Sequence, residues 1–167
     1  QFGRLDIVLA NAGIATMAFR ELTIEEELEQ WTDVVDVNLV GAFHTAKAAI
    51  PHLIAGQRGG SIVFTSSTAG LKGFGGLQGG GLGYAASKHG IVGLTKVTAP
   101  ENATSGVTCN AICPGWVLTP LVQKQIDARA AAEHIPVEQA KVELLREKEP
   151  SLEFTTPDEL GQLAVFF

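Results

Sequence analysis

The stretch Ser61-Ile62-Val63-Phe64-Thr65-Ser66, which follows Gly59-Gly60, is a short apolar and β-branched run bounded by glycine. Such a run predicts a buried strand. Two similar runs lie on either side of it, at residues 5–10 (Leu-Asp-Ile-Val-Leu-Ala) and 107–113 (Val-Thr-Cys-Asn-Ala-Ile-Cys), and helical patterns lie between them. Because strands that alternate with helices form parallel sheets, the sequence predicts an α/β fold with a parallel sheet.

The segment between the first two strands predicts one long helix. Apolar residues recur every three or four positions from Ile24 to Leu53, which is the spacing of a single helix stripe. Thr23 is the predicted N-cap, because its side chain can accept a hydrogen bond from the first turn. Acidic residues in that turn interact favourably with the helix dipole, and here they are Glu25, Glu26 and Glu27.

The later helices are predicted with less regular patterns. A helix is expected from Tyr84 to about Thr104, and Pro100 means that it either kinks or ends earlier, because proline lacks the N–H of a helix hydrogen bond. A polar helical stretch is expected at 118–149. A last helix is expected to begin at Pro157 after the cap Thr156.

Composition limits the classes of function. The 167 residues are 46% hydrophobic and 18% charged, with a net charge of -6, which is typical of a globular domain. The chain has no Lys/Arg cluster, so we expect no nucleic-acid partner and no binding to an anionic membrane. It also has no apolar run of the roughly 20 residues that span a bilayer, and because no basic-then-apolar pattern opens the sequence we expect no signal peptide. These features predict a soluble, cytoplasmic protein.

The cysteines and histidines predict neither a disulfide nor a metal site. Cys109 and Cys113 would lie about 13 Å apart on one strand face, which is too far for a disulfide. We interpret both as small buried hydrophobic residues in a reducing compartment. The histidines are scattered along the chain without the spacing of metal ligands: His44, His52, His89 and His134.

Four polar residues stand where chemistry is possible. Tyr84 and Lys88 are four apart on one helix face, where a positive charge beside the phenol stabilises phenolate and favours a general base; the alternative is a surface pair. Ser67 follows a buried strand, where ligands bind in open parallel sheets, or it is a turn or cap serine. Asn38 lies on an apolar helix stripe and needs a buried partner, which a structural asparagine would also have.

Together, five ordered motifs resemble those of the short-chain dehydrogenase/reductase family. The motifs are Asn11-Ala12-Gly13, Val37-Asn38-Leu39-Val40-Gly41, Thr65-Ser66-Ser67, Tyr84-Ala85-Ala86-Ser87-Lys88 and Pro114-Gly115. The resemblance covers nearly the whole chain. It implies an oxidoreductase that interconverts a secondary alcohol and a ketone by hydride transfer with a nicotinamide cofactor.

The resemblance implies roles for the four polar residues. Tyr84 exchanges the proton of the alcohol, and Ser67 holds the substrate oxygen. Lys88 binds the nicotinamide ribose and stabilises the tyrosinate. Asn38 holds a water that links Lys88 to solvent.

The implied cofactor is NAD, and NADP is not excluded. The implied substrate-binding residues are Ser67, Trp116 and Gln125. The implied cofactor-binding residues are Asn11, Ala12, Gly13, Tyr84, Lys88, Pro114, Gly115, Val117 and Thr119.

The implied fold is a Rossmann-type doubly wound parallel sheet in three α/β/α layers. Residues 1–167 would form a single incomplete domain that starts near the family's fourth strand, so that the family's glycine-rich phosphate loop lies upstream. Residues 119–150 would form lid helices over the substrate. The glycine-rich segment 70–83 matches no phosphate-binding motif, and we interpret it as a flexible lip of the substrate pocket or as an inert connection.

Two subfamilies are resembled by different parts of the chain. Residues 5–95 resemble carveol-dehydrogenase-like actinobacterial enzymes, and residues 96–167 resemble D-3-hydroxybutyrate dehydrogenase. In the second subfamily a polar set holds the substrate carboxylate, and only Gln125 matches it here. The other three positions are Ala15, Ala69 and Gly81. Without those groups a carboxylate is poorly paired, so a small apolar or cyclic alcohol such as carveol is the expected substrate and 3-hydroxybutyrate is the alternative.

Two other classes of function remain open. A non-catalytic dinucleotide-binding or scaffold protein can share this fold, because a fold does not imply a reaction. The third alternative is that the fragment by itself has no function, since half a parallel sheet exposes a strand edge. The family resemblance implies a homotetramer or homodimer that pairs through the helices beginning near Thr23 and Tyr84.

Overall fold

The computed structural model describes residues 3–15, 22–73, 81–146 and 149–167, which form two compact units. The first unit runs to Cys113 and includes Phe167, and the second is Pro114–Phe166. The strands of the first unit are β1 (Ile7–Ala10), β2 (Gly60–Thr65) and β3 (Val107–Ile112). Its helices are α1 (Ile24–Val35), a π-helical turn (Asp36–Val40), α2 (Gly41–Ala55) and α3 (Gly81–Asn102), with short 3₁₀ turns at Thr68–Gly70 and Ala103–Ser105.

The sheet of the first unit is parallel, as predicted. In the described residues its strand order is β1-β2-β3, with Ile7 opposite Ser61 and Ser61 opposite Thr108. Each strand begins or ends within two residues of its predicted position. The Rossmann-type α/β fold with a parallel sheet is therefore confirmed.

One face of this sheet forms the core of the first unit. Residues opposite each other in a parallel ladder point to the same face, which places Ile62 and Phe64 on one side together with Cys109 and Ala10. All four are buried in one cluster. Both α2 and α3 pack on this same face, through apolar residues that include Ala42, Ala46, Ala49, Leu53 and Ile91.

The first strand is not buried on both faces, and the prediction of a buried strand is wrong on this point. Ile7 is 60% exposed and Leu9 is 54% exposed on the face opposite the core. In the described part of the chain β1 pairs with β2 alone, and α2 and α3 cover only the other face. The run of apolar residues could not distinguish a strand covered on one face from a strand covered on both.

The helix after β1 begins as predicted but is not regular. The hydroxyl of Thr23 accepts a hydrogen bond from the Glu26 N–H, and the Glu26 carboxylate accepts one from the Thr23 N–H, so the N-cap is confirmed as a capping box. The expected single helix is interrupted by the π-helical turn at Asp36–Val40. Two apolar residues of the predicted stripe, Ile24 and Leu28, are mainly exposed.

The helix that holds Tyr84 starts at Gly81, three residues earlier than predicted. It continues through Pro100 and ends at Asn102, earlier than the expected end at about Thr104, and a 3₁₀ turn at Ala103–Ser105 follows it. The expectation of a flexible lip at 70–83 falls mostly on residues 74–80, which lie outside the described residues.

The second unit has its own small core. Its helices are α4 (Pro120–Glu133), α5 (Val137–Arg146) and α6 (Pro157–Phe166). Two helices, α4 and α5, occupy the helical stretch expected at 118–149. They are separated at His134, which takes a left-handed conformation with φ 55°, and Pro136 follows it. The predicted cap Thr156 is confirmed, because its hydroxyl accepts a hydrogen bond from the Glu159 N–H.

Both cysteines are free thiols. Cys109 is buried in the core, where burial raises the pKa of its thiol to about 11. Cys113 lies beyond the end of β3 and is only partly buried, so the prediction of a buried residue is wrong there. Among the described residues no three His, Cys, Asp or Glu side chains are grouped as a metal site would require, and no helix is long and apolar enough to cross a membrane.

Candidate active site

A polar cluster lies around Lys88 at the carboxyl end of the sheet. Its other members are Asn38, Thr65, Ser66, Tyr84 and Ser87. Lys88 lies on α3 and is only 4% exposed. Its ammonium donates a hydrogen bond of 2.8 Å to the carbonyl of Thr65, the last residue of β2, and lies 5.6 Å from the ring centroid of Tyr84. Desolvation lowers the pKa of Lys88, partly opposed by the nearby Cys113. The predicted Tyr84–Lys88 pair is thus formed, with the ammonium buried.

Asn38 lies in the π-helical turn and is 1% exposed. Its Oδ1 accepts a hydrogen bond of 2.7 Å from the Ile14 N–H, and its Nδ2 donates one of 2.9 Å to the Ile14 carbonyl. The second Nδ2 hydrogen goes to Ser87 Oγ at 3.2 Å. The predicted need for buried partners is met, since this side chain fixes the backbone after β1. The water that the family resemblance assigns to Asn38 stays a prediction.

Gly13 lies against both Asn38 and Lys88. A Cβ added to Gly13 would lie 3.3 Å from Asn38 Oδ1 and 3.4 Å from Lys88 Nζ. Residues 11–13 are otherwise exposed at the end of β1. The side chain of Asn11 is held by Thr65, whose hydroxyl donates a hydrogen bond of 2.8 Å to Asn11 Oδ1. Two of the three predicted cofactor-binding residues in this segment therefore contact the Lys88 cluster.

Ser67 lies just beyond β2 and caps a short 3₁₀ turn. Its hydroxyl accepts a hydrogen bond of 3.1 Å from the Ala69 N–H, so the cap interpretation of this serine is realised. Its neighbour Ser66 is buried and donates to the Lys88 carbonyl at 2.8 Å. A Cβ on Gly70 would come within 2.5 Å of that carbonyl, so the turn after Ser67 packs closely on α3.

Three residues of the cluster were not singled out from the sequence. They are Thr65, which binds Lys88 Nζ through its backbone carbonyl, Ser66, and Ser87, which links Asn38 to α3. All three stand in the motifs quoted above, Thr65 and Ser66 before Ser67 and Ser87 before Lys88, but no role was assigned to them. Their hydrogen bonds join residues more than 20 positions apart, which no local pattern indicates.

The remaining predicted residues lie in the second unit. Thr119 caps α4 by accepting a hydrogen bond from the Val122 N–H, and Val117 pairs with Thr155. The backbone N–H of Trp116 donates a hydrogen bond to Glu149 Oε1, and the Trp116 side chain packs on the core of this unit. The roles expected for these residues stay predictions, as do those of three others in the unit: Pro114, Gly115 and Gln125.

The Lys88 cluster is suited to binding a polar ligand. An ammonium has three N–H donors, and Thr65 takes one in the described part of the chain. Gly13 lies beside the same ammonium and has no side chain that would cover it. A ribose hydroxyl fits this arrangement, because it offers oxygen acceptors to an ammonium.

Comparison with protein families gives a match over most of the chain. The family model described as short chain dehydrogenase matches residues 1–130. The D-beta-hydroxybutyrate dehydrogenase of Cupriavidus necator is 53% identical over 165 residues, covering 99% of this chain and 61% of that protein. The (-)-trans-carveol dehydrogenase of Rhodococcus erythropolis is 49% identical over 123 residues, covering 74% of this chain and 42% of that protein.

Solved structures give the same fold. A carveol dehydrogenase from Mycobacterium avium, in complex with NAD, matches with a TM-score of 0.78 and 30% identity over 98% of this chain and 58% of that one. Another match, from Agrobacterium tumefaciens, contains NADP. The chain thus spans about half the length of the relatives that it matches.

Proposed function

The chain belongs to the short-chain dehydrogenase/reductase family, and from this we propose that the protein interconverts a secondary alcohol and a ketone with NAD or NADP. The observation that supports this most directly is the buried Lys88 ammonium. No carboxylate in the described part of the chain pairs with it. A buried cation without an anionic partner costs free energy, so its presence beside Tyr84 indicates a chemical role.

In this proposal each residue of the cluster has one task. The Tyr84 hydroxyl gives or takes the proton of the substrate oxygen, and the Ser67 hydroxyl donates a hydrogen bond to that oxygen. Lys88 stabilises the tyrosinate by its charge and binds the ribose of the cofactor. Asn38 fixes the backbone of Ile14 beside this cluster. The nicotinamide, when bound, supplies the carbon that accepts or donates hydride.

The test is the variant Tyr84→Phe in the intact protein. We expect kcat to fall by roughly 10²- to 10⁴-fold, because the proton donor is lost while the ring remains. Quenching of protein fluorescence by NADH measures whether cofactor binding is retained, as we expect. Full activity in Tyr84→Phe would overturn the proposal. A wild-type protein that binds NADH but oxidises no alcohol would instead support the dinucleotide-binding scaffold.

For the substrate we propose a small apolar or cyclic secondary alcohol of the carveol kind. The support is the absence of polar side chains at Ala15, Ala69 and Gly81, the positions that the resemblance assigns to a carboxylate-binding set. A carboxylate bound there would lose charge-assisted hydrogen bonds worth about 1.5 to 3 kcal/mol each.

The second candidate is D-3-hydroxybutyrate. It is favoured by the 53% identity to the Cupriavidus enzyme, which extends over 99% of the chain and is not confined to residues after Lys96. Gln125 on α4 also matches the hydroxybutyrate set. Values of kcat/KM for carveol and for D-3-hydroxybutyrate, each with NAD and NADP, decide between the two candidates. A higher value for hydroxybutyrate would overturn the apolar substrate.

A variant that introduces a positive charge at position 81 makes the choice between the two substrates more specific. If an apolar alcohol is the substrate, Gly81→Lys should raise turnover of hydroxybutyrate, because it supplies a cation near the substrate. The matched control is Gly81→Met, which has a similar length without the charge. Equal effects of the two variants would mean that charge at position 81 does not select the substrate.

We also propose that the protein forms a homodimer or homotetramer through α1 and α3. These helices pack together, with Gly83 against Trp31. They expose large apolar side chains, namely Ile24, Leu28, Leu82 and Val97. Light scattering should give a multiple of the protomer mass, and Leu28→Glu should lower it, because a charge is costly in an apolar interface. A monomeric wild type would contradict this proposal.

A further inference from the structure

Ser87 is the residue of the cluster whose hydroxyl bonds both to the Tyr84 carbonyl and to the Asn38 amide. It stands between Tyr84 and Lys88 in the sequence, and its side chain is completely buried. Its hydroxyl donates a hydrogen bond of 2.8 Å to the Tyr84 carbonyl and accepts one of 3.2 Å from Asn38 Nδ2. One hydroxyl thus joins the turn of α3 that holds Tyr84 and Lys88 to the π-helical turn.

The directions of these hydrogen bonds are fixed by the available hydrogens. Asn38 has two amide hydrogens, of which one goes to the Ile14 carbonyl and the other to Ser87. Ser87 has a single hydroxyl hydrogen, and the Tyr84 carbonyl takes it. Removal of this hydroxyl therefore leaves a buried Asn38 N–H without an acceptor, which costs more than the loss of an exposed hydrogen bond.

Through Asn38, Ser87 is also connected to the backbone of residues 13–14, which follows β1. Asn38 holds both backbone groups of Ile14, and the preceding Gly13 lies against Asn38 Oδ1 and Lys88 Nζ. A shift of the Asn38 amide would thus move the backbone against which the Lys88 ammonium lies. Small displacements of catalytic groups are costly for rate, because reacting atoms must meet in a narrow range of geometries.

We propose that Ser87 is a positioning residue, which sets the placement of Tyr84 and Lys88 relative to residues 13–14 by anchoring the Asn38 amide. This inference rests on the proposed dehydrogenase function. Ser87 has no contact with substrate in this role. Its effect should therefore appear in kcat and depend on Asn38.

The experiment uses the intact protein with its alcohol substrate and NAD. We expect Ser87→Ala to lower kcat by roughly 10- to 100-fold with less than about a threefold change in KM for the alcohol. The matched control is Thr95→Val, which removes a hydroxyl that donates to the Ile91 carbonyl of the same helix, away from the cluster. We expect the control to keep kcat within about twofold, and Ser87→Thr, which retains a hydroxyl, to recover most of the activity.

Dependence on Asn38 is measured by a double-mutant cycle. In an Asn38→Leu background no amide hydrogen is left unpaired, so adding Ser87→Ala should lower kcat by less than about threefold. If Ser87→Ala does not fold, Ser87→Cys replaces it, since a thiol has nearly the same size and forms weaker hydrogen bonds. Unchanged kcat in the folded variant, or an equal loss in both backgrounds, would overturn the inference. Activity retained in Tyr84→Phe would overturn the proposed function instead, so the two failures are distinguishable.

Discussion

The polar side chains on the two halves of α3 find their hydrogen-bond partners in different ways. In the first half, Ser87 and Lys88 bond to Asn38 and Thr65, which lie on other elements. In the second half, Thr95 and Asn102 bond back to carbonyls four residues earlier in the same helix. We divide the helix at Ile91: residues 91–102, the second half, contribute Ile91 to the apolar core. Residues 81–90, the first half, hold Tyr84 and Lys88, to which we assign the proposed reaction.

Because of this difference, we expect the two halves of α3 to contribute differently to the stability of the protein and to its reaction rate. Polar groups that bond within their own helix need nothing beyond that helix, so they are compatible with a core that only has to be stable. Polar groups that bond across elements need the whole unit to be folded before they are satisfied. Variants in the first half should therefore change the reaction rate most, and variants in the second half should change the free energy of unfolding most.

The largest effect is expected for Lys88→Met. We expect kcat/KM to fall by about 10³-fold or more, because the charge beside Tyr84 is lost. The free energy of unfolding should stay within about 1 kcal/mol of wild type or rise, since a buried cation is replaced by an apolar chain of similar length. The control is Lys96→Met, an exposed position on the same helix. Kinetics and urea unfolding measure both quantities, and a large loss of stability in Lys88→Met would contradict the assignment.

The opposite result is expected for Ile91→Ala. Ile91 is 1% exposed in the core of the first unit, so truncation leaves a cavity and should lower the free energy of unfolding by about 3 kcal/mol. At a temperature where the variant is folded, kcat should change by less than about threefold, because Ile91 belongs to the apolar core and not to the polar cluster around Lys88. Urea unfolding and steady-state kinetics test this. A kcat loss as large as that of Ser87→Ala would remove the distinction between the two halves.

The pH dependence of stability tests the burial of Lys88 directly. Burial lowers the pKa of Lys88 from its ordinary value of 10.5. Between the lowered pKa and 10.5 the unfolded chain binds more protons than the folded chain, so wild type should gain stability relative to Lys88→Met as pH rises. The slope should be at most about 1.4 kcal/mol per pH unit, and it should vanish below the lowered pKa. Urea unfolding of both proteins from neutral pH to 10.5 measures it, and a decrease with pH would show that the ammonium is not desolvated.

The smallest effect is expected for Gly93→Ala in the second half of α3. A Cβ at this position meets no atom within 4 Å, and alanine favours the helix over glycine. We expect a gain of about 0.5 to 1 kcal/mol in the free energy of unfolding with unchanged kcat. Gly90→Ala is the contrasting variant, because its Cβ would lie 2.6 Å from Leu39 Cδ2. Thermal unfolding should show a higher midpoint for the first variant and a lower one for the second.

Much of the fold could be predicted because its signals are local. The capping box of Thr23 and Glu26, the strand at Ile62 and the four-residue spacing of Tyr84 and Lys88 are each properties of a few neighbouring residues. Other features are not local. The π-helical turn around Asn38 and the exposure of Ile7 on one face of β1 depend on which elements pack there.

The sequence by itself determined the family, the parallel α/β fold and the identity of the polar residues, since periodicity and motif spacing depend on short-range backbone geometry. Only the tertiary structure decided how those residues are held. Thr65 on Lys88 and Ser87 on Asn38 are contacts between residues 23 and 49 positions apart. Such contacts form because buried polar groups must find partners, and the packing of distant elements decides which partners are within reach.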